Sequence, residues 1–73
     1  MKSLNNIKPG ETATVSGLLN TGSMRRRLMD IGITENTRVK CVGRSPAGDP
    51  SAYLIRGAVI AIRSEDSKGI LVN

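Results

Sequence analysis

The stretch Gly22-Ser23-Met24-Arg25-Arg26-Arg27-Leu28-Met29-Asp30-Ile31-Gly32-Ile33 carries the one convincing helix signal in the chain, and the rest has to be built around it. Met24, Leu28 and Ile31 recur at i, i+4 and i+7, which places three apolar side chains on one helical face. Arg25, Arg26 and Asp30 fall on the other side. Ser23 is the expected N-cap, its hydroxyl accepting from a first-turn N–H, and Gly32 is expected to take the left-handed conformation that stops the helix. Ile33 then follows at C″ and packs back on Leu28. A helix this short is marginal alone in water, so its apolar face must be held against a sheet. The arginines are left on the outside.

That sheet has to be assembled from little material. The chain has 73 residues, no Trp, no Phe and one Tyr, Tyr53. A domain of this size buries only roughly 60% of its unfolded surface, so its aliphatic core must be economical, which favours a small barrel. Turn chemistry marks where the strands break. Pro9-Gly10 precedes a first strand in which Thr12, Thr14 and Ser16 alternate with Ala13, Val15 and Gly17. After the helix, Thr34-Glu35-Asn36-Thr37 is a turn in which Asn36 tolerates positive φ.

In the next strand, ending at Gly43, Thr37, Val39 and Cys41 face inward while Arg38 and Lys40 face out. Ser45 to Pro50 is a loop, and Ala52 to Ile55 with Ala58 to Arg63 flank Arg56-Gly57 as a tight hairpin. Ile60 and Ile62 are expected to face the core. Ser64-Glu65-Asp66-Ser67 suits one helical turn with Ser64 as its capping hydroxyl. Gly69 ends it, and Ile70 to Val72 forms a last strand that pairs with the first and closes the barrel. No repeat or linker divides the chain, so residues 1–73 read as a single domain.

The balance of 11 Lys+Arg against 6 Asp+Glu gives a net charge of +5, which points to anionic partners. The lone Cys41 makes no intramolecular disulfide, and the cytosol is the default compartment. The N-terminus lacks the apolar run of about 7–15 residues that a signal peptide needs. No stretch approaches the roughly 18 apolar residues of a membrane span.

Catalysis finds no footing. With no His, one Cys in an apolar register and no paired carboxylates in a defined pocket, there is no nucleophile and base to nominate. Gly10, Gly17 and Gly22 are not followed by the Gly-Lys-Ser/Thr of a phosphate loop. No metal or cofactor site is expected either, since a transition-metal site needs several converging His, Cys or carboxylate ligands.

What remains is binding. Arg25 and Arg26 with the neighbouring Met29 are the first candidates for partner contact, followed by Arg38 and Lys40 on the next strand. Arg27, next to the apolar stripe, is expected to lie along the sheet and reach a strand carbonyl or Asp66. Arg26 and Asp30 stand at i, i+4 as a local pair. Single-stranded nucleic acid is the rival partner, but small barrels hold it by stacking bases on aromatic side chains, and Tyr53 is the single aromatic residue.

Taken together, Pro9-Gly10 before a strand, Arg27-Leu28-Met29-Asp30-Ile31-Gly32-Ile33 before a turn and a Val-rich strand, Gly48-Asp49-Pro50, and Ile60-Ala61-Ile62-Arg63 before Ile70-Leu71-Val72 resemble the FeoA family. The resemblance runs from about Leu4 to Val72. It implies an SH3-like β-barrel of about five strands, with one short inserted helix and a one-turn helix before the last strand. It also implies a cytosolic accessory of bacterial ferrous iron uptake. In that role the protein acts with the membrane GTPase transporter FeoB, meets the membrane only through it, and at most self-associates weakly. Asn36 stands where the family commonly has Gly, and the triple arginine is richer than the pattern requires.

Overall fold

Alternating burial along the longer strands shows how the sequence builds its sheet. The computed structural model describes residues 2–73. In β2 (Thr12–Leu18) Ala13 and Val15 are buried while Thr12 and Ser16 are exposed, and in β3 (Arg38–Arg44) Val39 and Cys41 are buried between exposed Arg38 and Lys40. β4 (Ser51–Ile55) buries Tyr53 and Ile55. β5 (Ala58–Ile62) buries Ile62 and half-buries Ile60. The Arg56-Gly57 turn between β4 and β5 has positive φ at both residues, 49° and 84°, as the type I′ hairpin turn requires. β6 (Ile70–Val72) returns to pair antiparallel with β2.

The strands join in one antiparallel sheet of six, and its order has β6 between β2 and β1 (Lys2–Ser3), with β3, β4 and β5 following on the far side of β2. β1 adds a sixth strand to the five expected. A two-residue strand is too short to show any period, so its signal is absent from the sequence. Beside it Leu4, the first residue of a short 3₁₀ turn, and Ile7, which follows that turn, are wholly buried in the core.

The inserted helix α1 (Gly22–Asp30) docks as its apolar stripe dictates, with Leu28 buried and Met24 and Ile31 packed against the core. Its C-terminal end is a Schellman stop. Gly32 N–H donates to Met29 O at 3.1 Å and Ile33 N–H to Leu28 O at 2.9 Å, with Gly32 at φ 101°. Ile33 is wholly buried. The N-terminal end differs from expectation. The cap lies two residues earlier: Gly22, at φ 62°, opens the helix, so Thr21 is the N-cap, without a side-chain cap hydrogen bond, and Ser23 lies inside the helix.

The short α2 (Ser64–Ser67) also departs from its expected cap. Ser64 is its first residue, and Asp49 from the β3–β4 loop caps it instead, Oδ1 accepting from Ser64 N–H at 2.8 Å. The Gly48-Asp49-Pro50 loop therefore fixes the start of a helix that follows two strands later. Arg44 makes a second long-range tie, its Nη2 donating to Ile7 O and its Nε to Ser51 Oγ, each at 2.8 Å.

Candidate functional site

The outward face of α1 is a cationic ridge with an apolar residue set into it. Gly22, Arg25, Arg26, Met29 and Asp30 line one shallow concavity, and Arg25 and Met29 also border a second with Gly17, Leu18, Thr34 and Glu35. Met29 is 46% exposed, although its helical neighbour Leu28 is buried. The two methionines of α1 have parted: Met24 belongs to the core face and Met29 to the surface.

Arg25 is held in place, its Nη1 donating to Leu18 O at the end of β2 over 3.1 Å. This is the strand-carbonyl contact expected of Arg27. The reason is geometric: Arg25 stands over the β2–α1 connection, whereas Arg27 lies on the opposite flank and borders a groove with Glu65 and Asp66. Arg26 remains fully on the surface, in the same concavity as Asp30.

Arg38 and Lys40 lie elsewhere. They share a separate concavity with Thr12, Leu54, Arg56 and Gly57 on the outer surface of β2 to β4. The five candidate residues thus divide into a helix trio that the fold brings together and a strand pair that it does not bring to them. Leu54 joins the strand pair unforeseen: it sits across from Lys40 in the ladder and is exposed. Its signal was the alternation of β4, since Tyr53 and Ile55 inward force Leu54 outward. Arg56 is partly a structural residue, its Nε donating to Gly32 O at 3.3 Å and so tying the β4–β5 turn to the end of α1.

The remaining chemistry-bearing residues are internal. Cys41 is wholly buried with Sγ against Gly43 O at 3.7 Å, and Tyr53 is buried too. Among the described residues, no group of three or more His, Cys, Asp or Glu is placed to hold a metal ion.

Such a molecule is a small, mainly β SH3-like module whose distinctive groups lie in shallow cationic and apolar surface patches. A family model, the FeoA domain, matches residues 2–73. The chain belongs to the FeoA family, which is associated with ferrous iron transport. Among solved structures, the FeoA protein of Chlorobium tepidum is 30% identical with a TM-score of 0.93, over 99% of this chain and 69% of that one. A FeoA-like protein of Clostridium acetobutylicum is 34% identical with a TM-score of 0.89, over 97% and 83%. FeoA of Stenotrophomonas maltophilia, solved in complex with zinc and described as an SH3 domain protein, superposes over 100% of this chain and 91% of its own with a TM-score of 0.89 at 21% identity. No curated protein matches the chain.

Proposed function

We propose that this protein is a non-enzymatic cytosolic accessory of ferrous iron uptake. It acts as a single domain that docks on the cytosolic part of a FeoB-type membrane GTPase transporter and modulates it. The observation that carries this reading is the placement of Met29. A half-exposed, flexible apolar side chain that shares its concavities with Arg25 and Arg26, and with Asp30 and Glu35, makes an anchor with a charged rim. Interface energy concentrates in residues that become desolvated on binding, while rim charge governs encounter. Arg38 and Lys40, with Leu54, form a secondary contact. Iron is the transporter's cargo in this scheme. The protein binds Fe²⁺ no better than weakly, because it has no histidine and its one thiol, Cys41, is buried.

Co-purification of the tagged protein with its transporter from cells tests the reading. Recovery of the transporter, lost on Met29→Ala combined with charge reversal at Arg25 and Arg26, supports it. Unchanged recovery with those three changes refutes the assigned surface. Single-stranded nucleic acid is disfavoured by the burial of Tyr53, which removes the aromatic platform that such binding uses.

A further inference from the structure

The sheet has two ends, and they are finished differently. β1 is two residues long and begins with a lysine, a common way of blunting an edge. β5 runs five residues as Ala-Val-Ile-Ala-Ile, with no charge, no proline and an unbroken register against β4. Val59, its second residue, is 64% exposed. Within the strand itself no charge, proline or bulge protects this edge.

The hairpin determines which backbone groups that edge presents. In a two-residue turn the flanking pair, Ile55 and Ala58, exchanges ladder hydrogen bonds, and the alternation continues through Tyr53 with Ile60 and Ser51 with Ile62. Val59 and Ala61 occupy the intervening positions, so their N–H and C=O groups turn away from β4. Among the described residues, no turn, loop or cap supplies a backbone partner to either.

A groove lies beside them. Met24, Leu28 and Ile31 of α1 form one side, and Ile60, Ala61 and Ile62 form the other. Those three successive strand residues point their side chains to alternate faces, so they border one groove together only if it runs along the strand's open edge. Beside these apolar residues the lining carries both signs of charge, Arg27 and Arg63 with Glu65 and Asp66.

We propose that this edge is a strand-addition site for an extended segment of another protein, with aliphatic side chains at every second position. The incoming backbone pairs with Val59 and Ala61, and its aliphatic face enters the groove against α1. A helix fits less well, because its own backbone is satisfied and leaves both residues unpaired. A second copy also fits less well. Its own Ile60 and Ile62 turn toward its own core and offer no aliphatic face to the groove, and a net charge of +5 on each chain opposes the approach. The site is separate from the outer face of α1 and stands whether or not that face docks a transporter.

The test is titration of the ¹⁵N-labelled protein with a short synthetic peptide of alternating valine and threonine, ending in one glutamate and one lysine. A matching peptide N-methylated on the edge meant to face β5 is the control. The proposal expects the largest amide shifts at Val59 and Ala61, with slowed hydrogen exchange at both. It expects about a tenfold loss of affinity on N-methylation, the size of one lost hydrogen bond, and a similar loss in Ala61→Pro. That proline removes an outward N–H and spares the β4 ladder, the edge position where proline is tolerated. Val59→Lys, which changes no backbone group, also weakens binding by charging the edge. Equal binding of the N-methylated peptide, shifts confined to other surfaces, no binding up to the peptide's solubility, or a concentration-dependent dimer protecting these amides without peptide would each overturn the proposal.

Discussion

Leu28 and Met29 are neighbours in α1, yet one is 3% exposed and the other 46%. The inner side of the helix is fixed three times over: Leu28 in the core, the Schellman bonds at Gly32 and Ile33, and Arg56 bonded to the Gly32 carbonyl. Among the described residues the outer side has one tether, from Arg25 to Leu18 O, and its other side chains are displayed. A nine-residue helix that is marginal by itself needs the first arrangement to stay folded. The second then becomes a rigidly presented surface at little cost in stability. Substitutions on the two sides should separate accordingly, stability on one and association on the other.

The largest effect is expected from Leu28→Ala, which removes a wholly packed side chain from beneath the helix. A loss of about 2–5 kcal/mol in denaturant unfolding is the expected outcome, and a near-neutral result would mean that α1 is not held by its inner face. Gly32→Ala comes next. A Cβ there takes on the left-handed φ and meets Arg56 Cδ at 2.7 Å, a flexible side chain that has to move and give up its bond to the Gly32 carbonyl. About 1 kcal/mol or somewhat more should disappear from the unfolding free energy, and an unchanged midpoint would contradict the helix stop.

Asp49→Ala extends the comparison to α2, whose cap comes from a distant loop. A loss of about 0.5–2 kcal/mol is expected, with faster hydrogen exchange at the Ser64 amide reporting the missing acceptor. Smallest of all is Met29→Ala on the outer face, which should leave stability within about 0.5 kcal/mol while weakening partner binding. A destabilisation as large as that of Leu28→Ala would merge the two faces and remove the basis for calling one of them a docking surface.

Much of this architecture was legible in the residues, for reasons that also explain the gaps. The i, i+4, i+7 stripe and Gly32 located α1 and its stop because both signals are local. Alternation placed Val39 and Cys41 inside and Arg38 and Lys40 outside for the same reason. What escaped depends on where separate elements meet in space. The carboxylate that caps Ser64 lies in another loop, and the carbonyl that holds Arg25 lies on a strand whose approach to the helix no spacing rule reports. β1 is invisible because two residues carry no period. At the surface, residue types suggested Arg25, Arg26, Met29, Arg38 and Lys40 as one set. The fold shows that the first three share a concavity and the last two belong to another.

The central claim, that the outer face of α1 docks a transporter, is tested most directly by binding kinetics over a salt series on the immobilised cytosolic region of the transporter. The proteins compared are the wild type, Met29→Ala and the double charge reversal Arg25→Glu with Arg26→Glu. The account predicts that Met29→Ala mainly speeds dissociation, and that the double reversal mainly slows association and flattens its salt dependence. Wild-type affinity in both variants would contradict the account. So would tight binding to a single-stranded oligonucleotide near physiological salt with none to the transporter, which would transfer the cationic face to a nucleic-acid partner.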